Sequence, residues 1–222
     1  MLEFREFSAS GPGNPKQLVI LLHGYGSNKD DLINIAPEIS KYLPNAHFIS
    51  PNACQRFENA PEYDAYQWFS LVNRSQEAML NGANTAMKIL EPFILEQMKR
   101  FSLSAKQTVI LGFSQGGMMA LHTGLNMKES PRVLLCYSGL LIQGENSNID
   151  SFTVANSIQD IVLIHGKDDD VVPIESMQRS AILLVKSGAR LHTLTCRALG
   201  HGIDMVGLEF GGRILKSVFN DV

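Results

Sequence analysis

The segment Gly112-Phe113-Ser114-Gln115-Gly116 places a serine two residues from a glycine on each side, directly after an aliphatic run and directly before a segment with helical spacing. A serine in a sharp turn from strand to helix is typical of a nucleophile that forms covalent acyl intermediates. The turn forces a strained backbone conformation on the serine, and the two glycines leave it room. We therefore predict that Ser114 is a nucleophile whose hydroxyl projects above the edge of a sheet.

A serine hydroxyl becomes an effective nucleophile only when a base accepts its proton, and the base needs a carboxylate to orient it. Among the six histidines, His201 lies between two glycines, after a predicted strand and before the last predicted helix. That position suits the base, because in this arrangement the partners follow the serine in the order Asp, then His. His47 and His192 lie within or beside predicted strands and His122 on a predicted helix, so we expect them to be ordinary core or surface histidines.

Three consecutive carboxylates, Asp168, Asp169 and Asp170, follow a predicted strand and are the candidates for the orienting acid. Their mutual repulsion favours an arrangement in which one turns inward to a partner and the others stay in water. This argument alone leaves the choice among the three open. A metal site on the acidic run is the alternative, but no second group of oxygen ligands has a recognisable spacing, and we predict no metal.

Two backbone N–H groups are needed to stabilise the oxyanion of an acyl-transfer intermediate. One normally belongs to the residue after the nucleophile, here Gln115, and the other to the loop after an early strand. That loop is His23-Gly24-Tyr25-Gly26-Ser27, in which Tyr25 is the candidate donor. The alternative is that this turn serves only to start the helix that follows.

Six short aliphatic runs are predicted to be the strands that position these residues. They are 18–22, 47–49, 108–111, 133–137, 161–164 and 191–196, and they alternate with helical patterns at 30–42, 75–100, 115–127, 174–186 and 203–219. Continuous apolar runs indicate strands covered on both faces. The alternation predicts an α/β fold with a mostly parallel central sheet and helices on both faces, formed as a single domain over 1–222. Pro92 is predicted to kink or divide the long helix.

Residues 51–74 show no clear periodicity but contain Phe57, Tyr63, Tyr66, Trp68 and Phe69. A loop of this length in a compact domain is usually functional or disordered, and its aromatic content argues against disorder. We therefore expect a lid-like loop beside the site.

The composition excludes several other classes of protein. The chain has 222 residues, of which 45% are hydrophobic, and a formal net charge of −3 with no basic stripe, so we expect no nucleic-acid or anionic-membrane partner. The three cysteines are expected to be reduced thiols. No apolar stretch approaches the roughly 20 residues of a membrane span, and the first ten residues show no secretory signal, so we expect a cytoplasmic protein without a membrane span.

Four motifs together resemble the phospholipase/carboxylesterase family of α/β-hydrolases, which includes acyl-protein thioesterases and small bacterial carboxylesterases. They are His23-Gly24-Tyr25-Gly26, Gly112-Phe113-Ser114-Gln115-Gly116-Gly117, the segment from His165-Gly166 to Val172-Pro173, and Gly200-His201. The likeness spans nearly the whole chain and implies the α/β-hydrolase fold. In the family the acid lies four residues after the histidine of the His-Gly pair, which implies Asp169.

The family also has a Trp-Phe pair before the nucleophile, matched here by Trp68 and Phe69. The resemblance implies that these two residues and Val172 contact substrate, with the pair forming an apolar wall for the acyl chain; plain core packing is the alternative. Tyr25, Ser27 and Ser70 depart from the residues usual in acyl-protein thioesterases. These departures leave the triad untouched and favour a bacterial-type carboxylesterase.

The function implied is that of a cofactor-free serine hydrolase that cleaves small carboxylic esters or thioesters through Ser114, His201 and Asp169. One alternative is an acyl-protein thioesterase or lysophospholipase with long-chain preference, whose substrates would be acylated proteins or lysophospholipids. A second is a non-catalytic ligand-binding protein on the same scaffold. A third, a dienelactone-type hydrolase, normally has cysteine in place of Ser114. Family members are often monomers or weak homodimers, and we expect one of these states here.

Overall fold

Continuous aliphatic runs form the middle of a seven-stranded sheet. A computed structural model describes residues 2–9, 14–143 and 159–220; the remaining residues of the predicted 1–222 domain lie outside the described residues. The strands of the sheet are β1 Phe4–Ser8, β2 Gln17–Leu22, β3 Ala46–Pro51, β6 Thr108–Phe113, β7 Val133–Tyr137, β8 Asp160–Gly166 and β9 Arg190–Cys196. Across the sheet they follow the order β1-β3-β2-β6-β7-β8-β9. Two further short strands, β4 Gln55–Arg56 and β5 Tyr66–Gln67, pair with each other.

Every neighbouring pair from β3 to β9 in the sheet order is parallel, and only the edge strand β1 is antiparallel to its neighbour β3. The carboxyl ends of the six parallel strands therefore lie along one edge of the sheet. Loops that follow β2, β6, β8 and β9 meet there, which is where ligands bind in open α/β sheets.

Helices cover both faces of the sheet, as predicted. They are α1 Lys29–Leu32, α2 Ala36–Ser40, α3 Gln76–Phe101, α4 Gln115–Asn126, α5 Ile174–Lys186 and α6 Met205–Asn220. Alternate strand residues face opposite sides, because successive side chains of a strand point in opposite directions. Leu18, Ile20 and Leu22 pack in the hydrophobic cluster that includes α3, α4 and α5, whereas Val19 and Leu21 pack with α1, α2 and α6.

Two helix predictions need correction. The single helix predicted over 30–42 is divided into α1, a 3₁₀ turn at Ile33–Ile35, and α2, in which Pro37 lies in the first turn. Of the kink or division predicted at Pro92, the division is absent, because α3 continues from Gln76 to Phe101. Pro92 lies on the exposed side of α3, so the carbonyl that loses its partner faces water, while Leu90, Phe93 and Ile94 bury the opposite side.

Candidate active site

The turn between β6 and α4 holds Ser114 in a strained backbone conformation, with φ 53° and ψ −117°. Such values are rare for residues other than glycine and are concentrated at functional sites. The flanking glycines are required by close packing. A Cβ on Gly112 would lie 2.1 Å from the carbonyl oxygen of Gly116, and a Cβ on Gly116 would lie 1.9 Å from that of Leu22. The turn therefore presents the serine side chain at the carboxyl edge of the sheet.

His201, in the loop between β9 and α6, lies between Ser114 and Asp169. Its Nε2 is 2.9 Å from Ser114 Oγ, and its Nδ1 is 2.8 Å from Asp169 Oδ2. The ring of Phe113 packs against the imidazole, with 4.9 Å between ring centroids. An ionised Asp169 accepts the Nδ1 hydrogen, which leaves Nε2 to accept the hydrogen of the Ser114 hydroxyl. The three side chains thus form one continuous line of hydrogen bonds.

Asp169 is the buried member of the three consecutive carboxylates, while Asp168 and Asp170 are exposed. Its Oδ1 accepts hydrogen bonds from the N–H groups of Val171 at 3.0 Å and Val172 at 2.8 Å. Burial works to raise the pKa of Asp169, but the bond from His201 and these amide bonds outweigh it, and the pKa lies below its ordinary value. The carboxylate therefore stays ionised at neutral pH.

His165, to which the sequence assigned no role beyond marking the position of Asp169, lies beside that carboxylate. Its Nε2 lies 2.7 Å from the carbonyl oxygen of Val172 and 3.2 Å from Asp169 Oδ2, and the side chain is buried. Val172, which we predicted to contact substrate, is largely buried and holds Asp169 and His165 through its main chain. Its contact with substrate stays a prediction.

The two predicted oxyanion donors belong to segments that adjoin Ser114. A Cβ on Gly24 would lie 3.6 Å from Ser114 Cβ, so the turn that carries Tyr25 packs directly against the serine. Gln115 is the first residue of α4, where a helix leaves its N–H groups free for an anion. Within the part of the chain that the structure describes, the amides of Tyr25 and Gln115 meet no protein acceptor.

The side chain of Tyr25 is anchored away from the sheet. Its hydroxyl donates a hydrogen bond to Glu58, and its ring meets Phe57 edge-on with 4.9 Å between centroids. Partial burial and the neighbouring carboxylate raise the pKa of Tyr25 to about 12, so the hydroxyl remains a donor. Glu58, which also accepts a bond from the Leu71 amide, was not found from the sequence.

Trp68 and Phe69 are buried, with relative exposures of 0% and 1%. Both belong to the hydrophobic cluster that includes α3 and α4. The indole N–H of Trp68 donates to the carbonyl oxygen of His23 at 3.0 Å. The predicted contact of the pair with an acyl chain stays a prediction.

The other predicted non-catalytic histidines have their own partners away from Ser114. His47 lies between Ser8 and Glu6, His122 contacts Asn84 on α3, and His192 contacts the buried Asp160. Among residues 2–9, 14–143 and 159–220, no helix has the length and apolarity to cross a bilayer. The same residues contain no cluster of metal-binding side chains.

The fold and this edge of the sheet define an α/β-hydrolase. Residues 6–217 match the model of the family described as phospholipase/carboxylesterase, and the chain belongs to that family. It is a hydrolase enzyme of the carboxylesterase and acyl-protein thioesterase kind, as the names of its relatives also indicate.

Two relatives and one solved structure illustrate the likeness. Esterase YpfH of Escherichia coli is 24% identical over 205 residues, which cover 92% of this chain and 84% of YpfH. Acyl-protein thioesterase 1 of Emericella nidulans is 27% identical over 213 residues, covering 86% of this chain and 85% of the relative. The crystal structure of esterase PE8 superimposes with a TM-score of 0.86 at 32% identity and covers 98% of this chain and 99% of PE8.

Proposed function

We propose that the protein is a cofactor-free carboxylesterase in which Ser114, His201 and Asp169 form the catalytic triad and Tyr25 and Gln115 supply the oxyanion hole. The observation that carries the proposal is the line of hydrogen bonds from Asp169 through His201 to Ser114, at 2.8 Å and 2.9 Å. Ser114 stands at its end in the strained turn expected of a nucleophile. The esterase names of YpfH and PE8 support the substrate class.

Each group has a defined step in the reaction. His201 Nε2 accepts the hydroxyl hydrogen as Ser114 Oγ attacks the acyl carbon, and Asp169 stabilises the resulting imidazolium. The oxyanion of the tetrahedral intermediate accepts hydrogen bonds from the amides of Tyr25 and Gln115. The imidazolium gives its proton to the leaving alcohol or thiol, and an acyl-enzyme forms. Water then attacks this ester by the same steps and regenerates the serine.

The finer features of the substrate belong to the same proposal. We propose small esters or thioesters as substrates, with no nucleic-acid partner, for a cytoplasmic monomer or weak homodimer. The acyl-protein thioesterase names among the relatives make long-chain thioesters and lysophospholipids the competing substrates.

Hydrolysis of p-nitrophenyl esters, from acetate to palmitate, by the wild type and Ser114→Ala tests this proposal. We expect activity that is highest with short acyl chains and is absent from the variant. Activity that rises with acyl length would favour the long-chain enzymes. If folded wild type hydrolyses none of the esters, the carboxylesterase proposal is wrong and a ligand-binding protein on this scaffold replaces it.

A further inference from the structure

The turn His23-Gly24-Tyr25-Gly26-Ser27 carries the first proposed oxyanion donor and is named the oxyanion turn. The segment Tyr66–Phe69 forms hydrogen bonds to this turn on both sides of Tyr25. Before Tyr25, the carbonyl oxygen of His23 accepts the indole N–H of Trp68 at 3.0 Å. After it, the amide of Gly26 donates to the carbonyl oxygen of Tyr66 at 2.9 Å, and the amide of Tyr66 donates to that of Ser27 at 2.7 Å. The chain on either side of the first oxyanion donor is therefore fixed to one short segment.

The same segment bonds to the side chain of the second oxyanion donor. Gln115 Oε1 accepts the amide hydrogen of Trp68 at 2.9 Å, and Gln115 Nε2 donates to the carbonyl oxygen of Phe69 at 2.7 Å. The Gln115 side chain is fully buried. One residue thus carries a proposed oxyanion amide and uses its side chain to hold the segment that bonds to the turn of the other proposed donor.

The oxyanion turn needs such support because glycines flank Tyr25. Gly24 and Gly26 give the backbone more conformational freedom than other residues, and Gly26 has a φ of +75°. Donors that stabilise an oxyanion act by being oriented before the charge develops, so a mobile turn would weaken them. Further support comes from His23. Its Nδ1–H donates a hydrogen bond to the carbonyl oxygen of Gly24, and its Nε2 accepts a hydrogen bond from the Ala53 amide. Burial lowers the pKa of His23 to about 4, so the ring is neutral and able to do both.

We propose that Tyr66–Phe69 fixes the geometry of the oxyanion hole, and that the side chains of Trp68 and Gln115 are positioning residues in transition-state stabilisation. The inference rests on the proposed function, because it assigns the oxyanion to the amides of Tyr25 and Gln115. It gives the buried Trp68 a role that depends on its indole N–H and differs from an apolar wall, which would depend on the exposed surface of the ring.

The substitution Trp68→Phe tests the inference, because it removes the indole N–H that donates to the carbonyl oxygen of His23 and keeps an aromatic ring. We expect kcat to fall about 10-fold with every ester from acetate to octanoate, while KM stays within about twofold. The inhibition constant of an alkylboronic acid should rise in parallel with the fall in kcat/KM, because its tetrahedral adduct on serine places an oxygen in the oxyanion hole.

Gln115→Glu is a second variant for the same test. It keeps an acceptor for the Trp68 amide but replaces the donor to Phe69 by a carboxylate oxygen. We expect a fall in kcat of about 10-fold or more at neutral pH, again with unchanged KM. Trp68 is the only tryptophan in the chain, so its fluorescence emission reports whether this variant keeps a native interior.

Ile94→Val is the matched control. Ile94 is fully buried in the same hydrophobic cluster as Trp68 but belongs to α3. We expect this variant to lower the melting temperature and to leave kcat, KM and boronic acid binding unchanged. Comparison of its melting temperature with its kcat shows how far a general loss of core stability affects the rate.

Two results would overturn the inference while the carboxylesterase proposal stands. In the first, the wild type has activity that requires Ser114, but folded Trp68→Phe and Gln115→Glu have the same kcat as the wild type. In the second, Trp68→Phe changes KM to an extent that depends on acyl length, which would assign Trp68 to an apolar wall for the acyl chain instead. If the wild type has no activity that requires Ser114, the proposed function fails first, and the inference fails with it.

Discussion

Replacement of Asp169 by Asn is the sharpest perturbation of the hydrogen-bond line, because it changes one carboxylate oxygen into an NH₂ group. Asp169 Oδ1 accepts two backbone amides, so the amide oxygen of the new side chain has to take that place. The NH₂ group then faces His201 Nδ1, which must become an acceptor. This leaves the hydrogen on Nε2, where it faces Ser114 Oγ.

In that tautomer His201 cannot accept the serine proton. Loss of the correct tautomer in serine hydrolases costs about 10⁴-fold in turnover, which corresponds to about 5 kcal/mol of transition-state stabilisation. The effect on folding should be smaller, about 1–3 kcal/mol, because the two amide bonds persist and a neutral bond replaces the charge-assisted bond to His201. We therefore expect Asp169→Asn to lose nearly all of its activity and only a small part of its stability.

The assay is steady-state hydrolysis of p-nitrophenyl acetate, with urea unfolding measured on the same preparations. Asp170→Asn is the matched control, since the neighbouring carboxylate is exposed. We expect this control to keep kcat/KM within about twofold of the wild type. A folded Asp169→Asn protein within tenfold of wild-type kcat/KM would refute the assignment of Asp169 as the acid that orients His201.

Two further predictions concern stability. Hydrogen bonding to Arg100, with a smaller contribution from His47, holds the pKa of Glu6 below its ordinary value of 4.5, so Glu6 adds stability above that pH and loses it as the pH falls. Urea unfolding of Glu6→Gln should therefore show a smaller loss of stability on acidification below about pH 4.5, and parallel curves for variant and wild type would contradict this. Gly116→Ala should cost about 4 kcal/mol or more, because its Cβ would lie 1.9 Å from the carbonyl oxygen of Leu22. An unchanged melting temperature for Gly116→Ala would contradict the close packing at the turn.

The central strands and several helices were predictable because their signals are local. The predicted strand 133–137 and helix 174–186 agree with β7 and α5 at both ends. The edge strand β1 was missed, since its sequence Phe-Arg-Glu-Phe-Ser is short and partly charged, and its structure depends on antiparallel pairing with the distant β3. Pro37 and Pro92 show the same limit, because Pro37 lies in the first turn of α2, whereas Pro92 lies within α3, whose packing compensates for it.

In the candidate site, too, the residues with a local sequence signal were predictable and those that depend on distant contacts were not. Ser114 and His201 were found because each lies in a recognisable turn after a strand. The choice of Asp169 among three adjacent carboxylates needed the family resemblance, since repulsion alone favours none of them. The bonds of Trp68 to His23 and Gln115 join residues 45 and 47 positions apart, and no local pattern encodes them.

Covalent labelling by a fluorophosphonate, followed by peptide mapping, tests whether Ser114 is the nucleophile. We expect one label per chain, located on Ser114, in folded wild type. Ser114→Ala should take up no label, and Asp169→Asn should react far more slowly than Asp170→Asn. Folded wild type that resists the reagent, or a Ser114→Ala protein labelled as quickly as the wild type, would contradict the assignment of Ser114 as the nucleophile.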